Sequence, residues 1–502
     1  MTSSVRPIRS WQNSRVARVK PKAMMPSSRV LTARLTRVNK AMREIFLNHQ
    51  RFAVWGAGVS GVAAANLLAR RGKDVILSDI KPIDELSEVA GRLHEKVRLV
   101  AGENVWEGRE VIVASPGMKP SHPDFARARE LGAQVISEVE LAWEASKARW
   151  IGITGTDGKT TTTSLVGQML QQAGVEHVVA GNIGLPLCAV VEELSEDAVV
   201  VAELSAFQLW SCHNLQPAAA TVTNVAADHL DYFESFEEYA DAKLRIFELQ
   251  KGEGVAVVPM RDRLVRRWLK EPGGQQVVGF SNRPNDVSEL DEAVWFDDDQ
   301  GWTREEEGVD LCWLESFDDT ELFGAHNQLN LACAAALARS VGVSWEHITE
   351  AALSFEPLAH RMEYVGEGNE VGFVDDSKAT NAHASLAGLQ NLDAGFVVIA
   401  GGVDKGLDLK GWAKYVAREA GGVVLLGEIA ERMGEALDAA GATKVHRAAS
   451  MEEAVEQAFK LARPGSTVVL SPACSSFDMF ESYAQRGRVF QAAVEALISS
   501  LP

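Results

Sequence analysis

Hydrophobic positions in this chain fall into short apolar runs, each closing on a polar or glycine-rich turn and followed by apolar residues at helical spacing. Residues 51–61, RFAVWGAGVSG, predict a strand, a turn with Gly56, Gly58 and Gly61, and then an Ala-rich helix. The strand DVILSD closes on Asp79, and EVIVASPG closes on Gly117. From Ile151 a further apolar run breaks into Gly155-Thr156-Asp157-Gly158-Lys159-Thr160, and Leu165, Val166, Met169 and Leu170 then recur with helical period. AVVVAE predicts a buried strand ending on Glu203, and AAATVTNV leads to Asp228-His229. Between about Ser235 and Leu249, Phe236, Tyr239, Lys243 and Phe247 form one helical stripe. The segment 281–322 reads as a hairpin excursion, and an Ala/Leu helix follows it. VGFVDDS, FVVIAGG, GVVLLGE and TVVLSPA then alternate with helical patterns.

Strands alternating with helices predict α/β architecture with mainly parallel sheets. With 502 residues there is room for about three domains. The expected division is a Rossmann-like domain at 46–140, a central P-loop domain at 141–357 and a doubly wound C-terminal domain at 358–502.

Composition narrows the class. A hydrophobic content of 46% with mixed charge is that of a globular protein, and no apolar run is long enough to span a bilayer. The net charge of −19 argues against generic nucleic-acid binding. Five dispersed cysteines without C-x-x-C spacing fit a reducing cytoplasm rather than a disulfide frame or zinc site. Residues 1–43 carry eleven Lys or Arg and no acid. With the two residues after them they read as a basic tail, either a transit-type segment or an upstream start, with Met42 as an alternative initiator.

The candidate chemistry sits at predicted strand ends. Strand, glycine turn, Lys-Thr and helix make a phosphate cradle in which backbone N–H groups face the anion, Lys159 adds charge and Thr160 can ligate Mg²⁺. The spacing is a contracted P-loop, G-x-x-G-K-T, and ATP is its natural occupant. Glu203, at a strand end beside it, is placed as a Mg²⁺ carboxylate, and His229 is as readily structural as a ligand. Gly56–Gly61 with Asp79 is the dinucleotide fingerprint, which taken alone suggests NAD. Lys243 in an apolar stripe is costly unless paired or neutral; position favours snorkelling toward an acid over conversion to a carbamate. Asn327 and Asn330 lie three apart on one helix face, where they could cap the helix or read a base edge. Lys378 and Lys405, at adjacent strand ends, could hold a dianionic small molecule.

Taken in order, G-T-D-G-K-T, E-L-S-A-F-Q-L, D-H-L-D, A-K-L-R-I-F, A-H-N-Q-L-N, A-H-R-M-E, D-D-S-K-A-T-N, G-G-V-D-K and S-P-A-C-S-S-F-D-M-F resemble the Mur ligases, from about Phe52 to the C-terminus. Within that family the likeness is to the branch that adds D-glutamate. It implies a monomeric bacterial enzyme of peptidoglycan precursor synthesis that uses ATP and two Mg²⁺ ions to join D-glutamate to UDP-N-acetylmuramoyl-L-alanine through an acyl phosphate. The glycine fingerprint then serves the UDP moiety rather than NAD, with Ser60, Asp79 and Gly117 on it and Asn182 and His229 toward the alanyl end. Ile80 stands where the family carries Thr, which leaves the uracil contacts open. Gly155 to Thr161, Asn327, Asn330, Arg361 and Asp376 become nucleotide contacts, with Lys159, His229 and Lys243 catalytic. Thr160, Glu203, His229 and Lys243 (as carbamate) become metal ligands, which reverses the position-only reading of Lys243. Lys378, Thr380, Lys405, Ser476, Phe477 and Tyr483 fall at the D-glutamate site, Tyr483 replacing a Phe.

Overall fold

The computed structural model describes residues 44–502 apart from 115, 120, 227, 229–231, 270–272, 306–307, 323, 357–358, 391, 405–407 and 502. The basic tail up to residue 43 therefore lies outside the described residues, as do His229 and Lys405. Three sheets form among the described residues.

The first sheet holds β1 (Arg51–Trp55), β2 (Asp74–Asp79), β3 (Val97–Ala101), β4 (Val111–Ala114) and β5 (Gln134–Ser137). They are all parallel, in the order β3-β2-β1-β4-β5. The order reverses beside β1, the place where such sheets open a crevice at their C-terminal ends. Gly61 is required there: a Cβ on it would stand 1.9 Å from the Gly56 carbonyl oxygen.

The second sheet carries β6 (Arg149–Thr154), β7 (His177–Gly181), β8 (Val199–Glu203), β9 (Ala219–Val222), β10 (Val255–Pro259) and β11 (Gln276–Ser281). It continues with β12 (Ala293–Asp297), β13 (Gln300–Arg304) and β14 (Asp310–Leu314), in the order β14-β13-β12-β11-β10-β9-β6-β8-β7. Pairing is parallel from β7 across to β12 and antiparallel for β13 and β14. The expected hairpin excursion is therefore the continuation of the sheet at one edge.

The third sheet comprises β15 (Glu363–Gly368), β16 (Val371–Asp375), β17 (Val397–Gly401), β18 (Gly422–Leu426), β19 (Val445–Arg447) and β20 (Thr467–Leu470). Its order is β15-β16-β20-β17-β18-β19, parallel except for β15. Strands β6, β8, β17 and β18 are buried along nearly their whole length, as expected when helices cover both faces.

The packing divides the molecule unevenly. One apolar cluster runs from the first sheet (Val54, Leu77) through Trp143 and Trp150 into the second (Val200, Ala202). Buried carboxylates add to this join. Glu140 accepts N–H groups of His213, Asn214 and Leu215, and Glu138 accepts that of Cys188 at 2.6 Å. Among the described residues, the two apolar clusters of the third sheet contain no member of the other two sheets. The third unit thus has its own core and meets the second through polar contacts.

Candidate active site

The strand ends of the second and third sheets face a shared cleft of about 700 Å³. At its centre is the turn between β6 and the Lys159–Gln172 helix. Gly158, with φ +77°, precedes the helix, and a Cβ there would stand 2.2 Å from Asn330 Oδ1. Only glycine admits this approach. Asn330 in turn donates to Asn327 Oδ1 at 3.1 Å, so the asparagine pair buttresses the phosphate loop. Thr223 Oγ1 and Asn224 Nδ2 both donate to the Asp157 carbonyl, at 2.6 and 3.0 Å, and fix the loop from β9.

Two lysines converge on one oxygen. Lys159 Nζ lies 2.8 Å from the Gly155 carbonyl oxygen, and Lys243 Nζ lies 2.6 Å from the same atom. The two amines therefore sit within a few ångström of each other. Lys243 is 2% exposed and covered by the Tyr239 ring, 4.5 Å from its centroid. Burial pushes its ammonium well below the ordinary lysine range and the Lys159 charge pushes it further, against the pull of Asp228, Asp157 and Glu203. Burial also lowers Lys159, which Glu203 and Asp157 partly restore. A buried Lys without its proton is a nucleophilic amine.

Glu203 is 2% exposed; Asn182 Nδ2 donates to its Oε1 at 2.8 Å, while Oε2 is buried without a hydrogen-bond partner. A buried carboxylate oxygen so left is expensive unless a cation or donor completes it. With Thr160 lining the same cleft, the donor set is hard oxygen. That set fits Mg²⁺.

From the third unit, Lys378, Thr380 and Tyr483 line the same cleft, and Lys378 Nζ donates to Tyr483 Oη at 2.8 Å. Arg361 and Asp376 also line it; burial pushes the Asp376 carboxyl up to about 7, against the pull of the Ser471 hydroxyl and Arg361. Ser476 is buried and Phe477 is 70% exposed, and neither is among the cleft-lining residues. Ser60 and Gly117 lie on the first unit, away from this cleft, with Ser60 in a narrow crevice beside Pro116 and Gln208. The Asp79 carboxylate is engaged by the N–H of Ala57, at 2.7 Å, and of Lys81, so it shapes the glycine loop from beneath.

The sequence reading missed Arg486, which is 1% exposed. Its guanidinium donates to the Ser377 hydroxyl and carbonyl at 3.0 and 2.8 Å, to the Cys474 carbonyl at 3.0 Å and to the Gly401 carbonyl at 3.3 Å. One side chain thus ties together the three loops carrying Lys378, Gly402 and Ser475. Burial lowers the guanidinium to about 10, while the neighbouring Cys474, Asp478, Asp375 and Asp376 raise it. Its position on a helix reads as an ordinary surface arginine in sequence, and no local signal betrays the clamp. Arg486→Gln is expected to destabilise the protein by about 3 kcal/mol through stranded buried carbonyls; urea denaturation measures it, and Arg486→Lys should recover only part.

The fold and cleft define a multidomain nucleotide-phosphate-binding protein in which a P-loop unit and a separate α/β unit face one reaction space. The chain belongs to the Mur ligase family. Family models match as the MurD-like N-terminal domain over residues 50–137, the Mur ligase middle domain over 153–338 and the Mur ligase glutamate ligase domain over 360–474. Two relatives named UDP-N-acetylmuramoylalanine--D-glutamate ligase are similar through nearly their whole length. The one from Desulfitobacterium hafniense is 38% identical over 89% of this chain and 98% of its own. The one from Solibacter usitatus is 39% identical with the same coverage. Among solved structures, the MurF ligase from Thermotoga maritima in complex with ADP shares the fold at 16% identity and a TM-score of 0.57, covering 90% of this chain and 99% of its own.

Proposed function

We propose that this chain joins D-glutamate to the alanyl carboxylate of UDP-N-acetylmuramoyl-L-alanine, converting ATP to ADP and phosphate, as a step of peptidoglycan precursor synthesis in the bacterial cytoplasm. The reading is carried by one observation. The phosphate loop with Lys159 and the half-satisfied Glu203 shares a cleft with Lys378, Thr380 and Tyr483 of a separate unit, and the buried Lys243 meets Lys159 on the Gly155 carbonyl oxygen. The names of the relatives supply the substrates.

A carboxylate is a poor acyl donor, so an alanyl carboxylate oxygen attacks the γ-phosphorus and the bond to ADP breaks. The amine of D-glutamate, having given up a proton, then attacks the carbonyl carbon of the acyl phosphate. Inorganic phosphate leaves as the tetrahedral intermediate collapses to the amide. The protein's work is to clamp charge and align partners. Residues Gly155 to Thr161 cradle the phosphates, with Lys159 extending from the Gly155 carbonyl toward them. Asn327, Asn330, Arg361 and Asp376 hold the rest of the nucleotide. Ser60, Asp79, Gly117, Asn182 and His229 place the UDP substrate. Lys378, Thr380, Lys405, Ser476, Phe477 and Tyr483 orient D-glutamate. Thr160, Glu203, His229 and carbamylated Lys243 would hold two Mg²⁺ ions, which when bound neutralise phosphate charge. The lowered ammonium of Lys243 supports the carbamate, because only the free amine adds CO₂.

ADP release is the test. With UDP-N-acetylmuramoyl-L-alanine and ATP present, adding D-glutamate should start steady turnover, and L-alanine, a diamino acid or a folate should not replace it. Turnover independent of D-glutamate would end this reading.

A further inference from the structure

The third unit touches the phosphate loop through the start of its Ala382–Leu389 helix. His383 Nδ1 lies 2.5 Å from Asp157 Oδ2. Asn381 Nδ2 lies 3.3 Å from Asp228 Oδ2 and 3.5 Å from Asp157 Oδ1. These contacts join side chains far apart in sequence, across the two units that have separate apolar cores.

Asp157 is an odd residue for a phosphate cradle. Its carboxylate lines the cleft that, on the ATP reading above, receives a polyphosphate, and like charges there repel. His383 meets that carboxylate from the opposite wall. The acids facing the imidazole are Asp157 on the phosphate loop, Asp228 after β9 and Asp262 at the start of the Arg263–Trp268 helix. Cations lining the same cleft are Lys159, Arg261, Arg361 and Lys378. The Asp157 hydrogen bond raises His383 above the ordinary histidine value, against burial, so the imidazolium persists to higher pH.

We propose that His383 is a positioning residue that neutralises Asp157 when the amino-acid-binding unit seats on the phosphate loop, so that seating this unit and binding the nucleotide phosphates favour each other. Coupling of this kind is reciprocal: bound phosphates hold the unit down as firmly as the seated unit holds the phosphates. The inference rests on the ATP reading, and it deepens it by assigning the closing unit a part in nucleotide affinity.

Steady-state kinetics of the full chain test it. His383→Gln keeps a polar side chain and removes the charge, so KM for ATP should rise about five- to tenfold while KM for the UDP substrate stays put. His383→Lys should restore most of the loss. In an Asp157→Asn background, His383→Gln should have little further effect on KM for ATP. Wild-type KM for ATP should climb as pH rises through the titration of His383, and more steeply than that of His383→Gln, which keeps only the dependence contributed by other cleft groups such as Asp376. An unchanged KM for ATP in His383→Gln, or an undiminished loss in the Asp157→Asn background, overturns the proposal. ADP release by the wild type tests the ligase reading separately, so the two failures are distinguishable.

Discussion

Lys159→Ala is expected to reduce ADP formation by about 10³-fold, the scale of losing a charge stabiliser aimed at a transferring phosphoryl group. The side chain starts on the helix that closes the loop and now bends back onto the Gly155 and Thr156 carbonyls, at 2.8 and 2.7 Å. Incoming phosphates would replace those carbonyls as its partners. Binding of the UDP substrate should survive, because Ser60, Asp79 and Gly117, proposed to place it, lie on the first unit and not on the phosphate loop. Isothermal titration with that substrate and ADP assays on the same preparation separate the two effects. A variant that still turns over at a tenth of the wild-type rate would remove Lys159 from the chemistry.

The second large effect concerns Lys243. Lys243→Ala should abolish turnover as thoroughly as the loss of Lys159, yet with a different signature: a short carboxylic acid added to the assay should restore part of it. The cause is burial together with the pairing at Gly155. Burial disfavours the Lys243 ammonium and the Lys159 charge on the same carbonyl oxygen disfavours it further, and a carbamate at that place would turn repulsion from Lys159 into attraction. The sign with pH follows. The depressed ammonium is neutral at pH values where ordinary lysines are charged, and the free amine grows as pH rises through its titration. Activation by bicarbonate should therefore weaken as pH falls. Full activity of Lys243→Ala without any added acid would sink the carbamate.

What could be read in the sequence was what is local. The phosphate cradle declares itself because strand, glycine turn and Lys-Thr occupy consecutive residues. Glu203 was legible because the end of an apolar run in a parallel sheet points at the ligand edge. The stripe holding Lys243 was visible from helical period, but the identity of its neighbour was not, since Gly155 and Lys243 are 88 residues apart. Position alone therefore favoured the blander reading, and only the family likeness reversed it. His383 and Arg486 gave no signal. Their partners lie 226 and 109 residues away, and a histidine or arginine on an amphipathic helix has many ordinary uses. Weak strands such as β3 and β19 also escaped, being short and only partly buried at the rim of their sheets.

The guanidinium of Arg486 has one last consequence. Because it fastens the turns carrying Lys378, Gly402 and Ser475 to a single helix, those turns form one preassembled cassette. On the D-glutamate reading proposed above, selectivity can be retuned by exchanging side chains on that cassette while the phosphate loop, which follows a strand of another sheet, stays untouched.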